Sequence, residues 1–110
     1  MSESQQIAET ILSQLGGHKF KVMTGAKHLA FDEDGSLSFK LPRAKDGINY
    51  VKITLNGLDL YDMEFRRVTL RKGEIRNVLK AAHSNVYGDM IRGLFETSTG
   101  LRTSLERVYS

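Results

Sequence analysis

Hydrophobic and polar residues alternate along the chain between residues 18 and 70, so that each run has one apolar and one polar face. The apolar positions are Phe20, Val22, Leu29, Phe31, Leu37, Phe39, Leu41, Val51, Ile53, Leu55, Tyr61, Met63 and Phe65. A period of two is typical of antiparallel strands that pack on a core with one face and meet water with the other. The pattern predicts a meander of five short strands, at about 18–24, 28–33, 36–41, 48–55 and 59–70.

Glycine-containing pairs between these runs predict where the chain turns. Asp34-Gly35 and Asn56-Gly57 are typical of two-residue hairpin turns, in which both central residues have positive φ. Asp46-Gly47 marks a longer connection, and Gly25 predicts a bend after the first strand. Such spacing favours strands that pair with their neighbours in sequence.

The alternation changes phase near the end of the fifth predicted strand. Phe65 and Val68 cannot share a face of a regular strand, so we expect a bulge or the strand's end at Arg66-Arg67. Residues 71–83 then fit two structures. Their apolar residues match one face of a helix, whereas Gly73 and the charges around it match a loop or an edge strand. These apolar residues are Ile75, Val78, Leu79 and Ala82.

Helical periodicity precedes and follows the predicted strands. A first amphipathic helix is predicted at 3–15, with Ser2 and Gln5 at the spacing of a capping box and Gly16-Gly17 at its end. A second is predicted at 85–98, capped by Ser84 or Asn85 and ended by Gly100. The apolar faces comprise Ile7, Ile11, Leu12 and Leu15 in the first helix, and Val86, Tyr87, Met90, Ile91, Leu94 and Phe95 in the second. We expect the last ten residues, with Leu101, Leu105 and Val108, either to form one more helical turn or to fray.

Length and composition favour a single folded domain over residues 1–110. Hydrophobic residues make up 40% of the 110 residues and charged residues 26%, which argues against a mainly disordered chain. We therefore expect an α+β fold, in which an antiparallel five-stranded meander sheet is flanked by an N-terminal and a C-terminal helix.

Several kinds of chemistry are excluded by composition. The chain contains no cysteine, so it has no disulfide, thiolate metal site or cysteine nucleophile. No apolar run approaches the roughly 18 residues of a membrane-spanning helix. The first residues lack the basic flank and apolar run of a signal peptide. These features suit a reducing cytoplasm and no contact with membrane.

The charge distribution is the most informative functional feature of the sequence. Residues 1–64 carry seven basic and nine acidic side chains, whereas residues 65–80 carry six basic side chains against Glu74 alone. A basic segment beside a polar sheet face predicts contact with nucleic-acid phosphates. The candidate residues are Arg66, Arg67, Arg71, Lys72, Arg76 and Lys80 of this segment, with Lys52 and Tyr50 on the sheet; Lys19, Lys21 and Lys40 are expected on the same polar face. The alternative is that these cations keep a strand edge soluble and unpaired.

Other chemistry-bearing residues favour structural roles. His18, His28 and His83 are isolated and lack the spacing of a metal motif, so no metal and no cofactor is expected. The carboxylates at 32–34 lie on a predicted hairpin tip, and Asp62 and Glu64 are expected to face lysines across the sheet. No glycine-rich cofactor loop and no Ser/His/Asp arrangement is present, which predicts a protein that is not an enzyme.

Five stretches of the chain are similar to those of a known group of proteins. They are MTGAK at 23–27, LSFKLP at 37–42, GINYVKITL at 47–55, VYGDM at 86–90 and TGLRTSL at 99–105. Together they resemble small bacteriophage- and prophage-encoded proteins to which no function is assigned. The resemblance implies a phage-associated origin and a location in the bacterial host cytoplasm. It transfers no catalytic residue, and the basic run at 66–80 is richer than the group leads us to expect.

Two functional hypotheses follow. The first is a non-enzymatic nucleic-acid-binding module for single or double strands, in which Arg67→Ala with Arg71→Ala would weaken binding uniformly across sequences. The second is a homo-oligomeric interaction module, or an inhibitor of a host protein, that uses a sheet edge or the face of Tyr87 and Met90.

Overall fold

In a computed structural model, which describes residues 3–103 and gives only the backbone of Ser4, five strands form one antiparallel sheet. The strands are β1 (Lys27–Asp32), β2 (Ser36–Lys40), β3 (Tyr50–Leu55), β4 (Tyr61–Arg71) and β5 (Glu74–Val86). The helices are α1 (Glu3–Leu15), α2 (His18–Thr24) and α3 (Ile91–Thr99), with short 3₁₀ turns at Lys45–Gly47 and Gly88–Met90. The sheet order is sequential, which confirms the α+β meander with helices at both ends.

Helix α1 spans the range that its periodicity predicts. The N–H of Gly17 donates to the carbonyl of Leu12 at 2.9 Å and closes the helix, with Gly16 and Gly17 both at positive φ. The predicted cap at Ser2, and the predictions for Leu105 and Val108, lie outside the described residues. None of the helices within 3–103 combines the length and apolar character that a membrane crossing requires.

The prediction of a strand at 18–24 is wrong, because this segment is helix α2. Phe20 is fully buried whereas Val22 is 67% exposed, so the two residues do not share a buried face. The buried pair is Phe20 and Thr24, four residues apart, and the Thr24 hydroxyl donates to the Phe20 carbonyl at 2.7 Å. Gly25 therefore ends a helix instead of bending a strand, and its N–H donates to the Lys21 carbonyl at 3.0 Å.

The second helix begins later than the sequence predicts. Strand β5 runs on to the buried Val86, and α3 begins only at Ile91 after one 3₁₀ turn. Asn85 is therefore a strand residue instead of a helix cap, and its φ of 56° places it at an irregularity of the β4–β5 pairing. The end of the helix is as predicted, since Gly100 adopts the left-handed conformation.

The two-residue hairpin turn is at Lys72-Gly73, where φ is 53° and 78°. At the two predicted positions the turns are longer. Between β1 and β2 only Gly35 has positive φ, and its N–H bonds the Asp32 carbonyl at 3.1 Å. Between β3 and β4, residues 56–60 form the loop, and the left-handed residue is Asp59 instead of a glycine.

The pairing of β4 with β5 shows that the ambiguous segment 71–83 is mainly an edge strand. The register shifts between Phe65, opposite Ala81, and Arg66, opposite Leu79, so that Lys80 is the extra residue. The expected irregularity thus lies on β5, while β4 continues past it. Val68 consequently stays on the opposite face from Phe65.

The core lies between one face of the sheet and the three helices. The ring centroid of Phe20 is 5.2 Å from those of Phe39 and Phe95, in edge-to-face contacts, and Phe65 lies 6.3 Å from Phe95. These fully buried rings come from α2, β2, α3 and β4, so they join both helical ends of the chain to the sheet.

Candidate nucleic-acid interface

Strands β4 and β5 extend beyond the rest of the sheet as a two-stranded hairpin. The last pair between β3 and β4 is Tyr50–Arg66, whereas β4 and β5 stay paired out to Arg71–Glu74. We call residues 67–80 the arm. All residues of β5 from 74 to 80 are exposed, so the arm projects into water.

Asn49 holds the base of the arm. Its side-chain Oδ1 accepts from the backbone N–H of Val68 at 2.7 Å, and its Nδ2 donates to the Val68 carbonyl at 2.8 Å. The carboxamide thereby takes the place of a paired strand residue just before β3 begins at Tyr50. This fixes the direction in which the arm leaves the sheet.

One side of the arm is a shallow basic groove. Its lining residues are Arg67, Thr69, Arg71, Lys72, Glu74, Arg76, Val78 and Lys80. The alternation of β4 puts Arg67, Thr69 and Arg71 on the same side as the buried Phe65, and their partners on β5 follow. We call this side the basic face. It carries five cations and one carboxylate.

The cations of the basic face are available to an external anion. No ion pair within residues 3–103 involves Arg71, Lys72, Arg76 or Lys80. Arg67 is held at the base, where its guanidinium donates to the Gly47 carbonyl at 3.4 Å. Like charges on a ribbon with both faces in water create a positive potential that attracts polyanions.

The remaining predicted residues lie on the opposite side of the sheet, which we call the outer face. A second groove there, the outer groove, includes Tyr50, Lys52 and Arg66. Lys52 is 3.4 Å from Asp34 and 3.9 Å from Asp32, so its charge is partly neutralised. Arg66 is equally engaged, because its guanidinium bonds Glu64 at 3.1 Å and Asn77 at 3.1 Å. The eight predicted residues therefore separate into five on the basic face and three on the outer face.

Two further lysines are not where the sequence predicts. Lys19 and Lys21 belong to α2, in the helical layer, and so do not join a polar sheet face. Lys40 does line the outer groove, at the end of β2.

The carboxylates take structural roles. Asp62 accepts from the backbone N–H of Asn85 at 3.1 Å and from the Asn56 amide at 3.1 Å, which joins the β3–β4 loop to the end of strand β5. Glu64 is opposite Lys52 in register, yet its ion pair is with Arg66. The Ser36 hydroxyl donates to Asp34 at 2.7 Å and, with the Lys52 charge, holds the pKa of that carboxyl below its ordinary value.

Two titratable rings, those of His83 and Tyr61, are influenced by their surroundings in the fold. The Nε2 of His83 lies 3.0 Å from the Ser98 hydroxyl, and the His83 ring packs edge-on against Phe65. Burial raises the pKa of Tyr61, with a smaller contribution from the negative charge of Asp59. In the part of the chain that the structure describes, no three His, Asp or Glu residues are grouped to hold a metal ion.

The sequence analysis did not predict that the apolar side chains of the arm would be exposed to water. Leu70 and Ile75 are opposite each other near the tip and are 72% and 71% exposed, and Val78 and Leu79 are each 48% exposed. A helix at 71–83 would instead have placed Ile75, Val78 and Leu79 together on one buried face.

Comparisons of the chain with protein-family models, with curated proteins and with solved structures return no match.

Proposed function

We propose that this protein is a non-enzymatic nucleic-acid-binding protein that contacts phosphates through the basic face of its arm. The observation that carries the proposal is the grouping of the five cations of the arm on one side of an exposed ribbon. Four of them have no ion pair within residues 3–103. Phosphate contacts of this kind supply most of the affinity of sequence-independent binding.

The shape of the arm favours duplex DNA over a single strand. The major groove of B-DNA, roughly 12 Å wide, admits a two-stranded β-ribbon. Three of the five cations are arginines, whose planar guanidinium bonds phosphate oxygens in a fork. No described aromatic side chain lines the basic face, whereas single-strand binders stack bases on aromatic rings.

A phage-associated origin and a place in the bacterial host cytoplasm belong to the same proposal. They are supported by the resemblance of the five stretches to small phage and prophage proteins. The absence of cysteine from the sequence fits a reducing compartment.

The test is fluorescence anisotropy with labelled single- and double-stranded oligonucleotides at about 50 and 200 mM salt. The test variant is Arg71→Ala with Arg76→Ala, and the matched control is Lys21→Ala with Lys27→Ala, which removes equal charge away from the arm. We expect duplex binding whose salt slope falls by roughly two in the test variant only. Absence of binding at low salt, or equal losses in the two double variants, would contradict the proposal.

A second candidate, an inhibitor of a host protein, is favoured by two exposed side chains before α3. Tyr87 is 62% exposed and Met90 is 48% exposed, and both residue types are common in protein interfaces. Capture of a host protein that is lost in Tyr87→Ala, together with no salt-sensitive binding to oligonucleotides, would favour this candidate.

A further inference from the structure

Strand β5 is an edge of the sheet and has hydrogen-bonding groups directed away from it. In a two-residue hairpin, the pair that flanks the turn exchanges both backbone hydrogen bonds, and bonded and non-bonded pairs then alternate. Arg71 and Glu74 flank the turn. The N–H and C=O groups of Ile75, Asn77 and Leu79 therefore point to the open edge.

The same part of the edge carries apolar side chains in water. Ile75 and Leu79 lie on the outer face of the arm and are 71% and 48% exposed, and Leu70 opposite Ile75 is 72% exposed. A two-stranded ribbon by itself is marginally stable in water. An exposed edge with apolar side chains is a template for another strand. A third strand beside β5 would stabilise the arm.

The segment 74–80 is complementary to itself when two copies run antiparallel. If Asn77 of one copy lies opposite Asn77 of the other, Ile75 lies opposite Leu79 and Glu74 lies opposite Lys80. On the outer face the apolar pair then meets across the two copies, whereas on the basic face opposite charges meet at Glu74 and Lys80, and Arg76 lies opposite Val78. Glu74 and Lys80 both line the basic face, so the two charges are on the same side of the joined sheet.

The backbone supports this register independently of the side chains. The pairs 75 with 79 and 77 with 77 are made by the residues whose N–H and C=O groups point outward. In an antiparallel ladder such pairs exchange both hydrogen bonds. A two-fold axis perpendicular to the sheet at Asn77 satisfies hydrogen bonding, apolar contact and charge together.

We propose that two copies of this protein pair through antiparallel β5 strands, with a two-fold axis at Asn77. The sheets of both copies become one continuous sheet, and the two arms lie side by side. The basic faces join on one side, which doubles the number of cations there. The pairing does not depend on nucleic-acid binding, so each proposal fails or stands on its own measurement.

The test is sedimentation equilibrium from about 1 to 100 µM, because self-association depends on concentration. We expect a dimer that Glu74→Lys and Lys80→Glu each weaken about tenfold, since each change sets like charges opposite at two symmetric contacts. The charge-swapped double variant should recover the wild-type dimer. Within one chain, residues 74 and 80 are roughly 20 Å apart, so recovery arises only between copies.

Controls and a second measurement make the result decisive. Lys27→Glu, on the opposite edge strand, changes the charge by the same amount as Lys80→Glu and should leave the dimer unchanged. In this cysteine-free chain, Asn77→Cys should form a disulfide between copies on mild oxidation, whereas Lys27→Cys should not. A wild-type monomer at all concentrations, or a dimer indifferent to both charge changes, would overturn the proposal and leave the cations as protection of the edge.

Discussion

The side chain of Asn49 holds the backbone of Val68 by two hydrogen bonds, of 2.7 and 2.8 Å, at the point where the arm leaves the sheet. Strand β3 begins only at Tyr50, so without Asn49 the N–H and C=O of Val68 would lose their partners. The Asn49 side chain satisfies both groups and so continues the hydrogen bonding of β4 on this side beyond the first residue of β3. The arm is therefore anchored by one carboxamide.

Replacement of Asn49 by alanine should lower the free energy of unfolding by about 1–3 kcal/mol, because two hydrogen bonds to a half-buried backbone are lost. Hydrogen exchange of the Val68 amide should accelerate more than that of the core strands. Urea denaturation and exchange measured by NMR test this, with the exposed Gln6→Ala on α1 as the control. Equal stability of Asn49→Ala and wild type would show that the anchor is dispensable.

Because α2 is a helix, alanine should affect stability differently at Phe20 and at Val22, which are two positions apart. Phe20→Ala should destabilise the protein by about 3–5 kcal/mol, because it empties the centre of the phenylalanine cluster. Val22→Ala should change stability by less than about 0.5 kcal/mol, since the side chain is exposed and alanine favours helix. Similar large losses at both positions would indicate the strand that the sequence pattern suggests.

The fold class could be predicted because alternation persists wherever a strand has one buried face. Val51 and Ile53 in β3, and Met63 and Phe65 in β4, are buried as their spacing predicts, whereas their neighbours are only partly buried. The alternation at 18–24 misleads because α2 is short and buries only Phe20 and Thr24. Because Thr24 is polar, a search for apolar residues at helical spacing does not detect its pairing with Phe20.

The candidate interface was predictable in composition but not in arrangement. The cations of 66–80 are evident in the sequence, yet whether they share a face depends on the structure of 71–83. Both faces of the arm are in water, so no buried side imposes an alternation that would identify β5 as a strand. The extra residue Lys80 shifts the phase once more, and only the pairing with β4 reveals it.

Alanine should have opposite effects at Gly73, in the β4–β5 turn, and at Gly57, in the β3–β4 loop. Gly73 has φ of 78° and open space around its Cβ direction, so Gly73→Ala should cost about 1–2 kcal/mol from backbone strain alone. Gly57 also has open space but no positive φ, and Gly57→Ala should be neutral or stabilise by up to about 1 kcal/mol. Thermal denaturation of both variants tests this. The reverse order would place the two-residue turn at Asn56-Gly57.

The lowered pKa of Asp34 leads us to expect that the free energy of unfolding depends on pH in the acidic range. Its pKa is lowered, first by the hydrogen bond from Ser36 and then by the charge of Lys52. A carboxyl with a lower pKa in the folded state stabilises the fold above its unfolded pKa, near 4, and this contribution is lost as pH falls through the folded pKa. The contribution of Asp34 to stability should therefore decline as the pH falls below about 5 and through the lowered pKa of the folded state.

Ser36→Ala should raise the pKa of Asp34 and make that decline shallower, because the folded and unfolded pKa values become closer. Lys52→Met should raise the pKa of Asp34 by less, since the Lys52 ammonium is 3.4 Å away and acts across a partly exposed pair. Titration of the Asp34 carboxyl carbon by NMR separates the two contributions. A larger change in Lys52→Met than in Ser36→Ala would mean that charge, and not the Ser36 hydroxyl, holds this hairpin carboxylate in its ionised form.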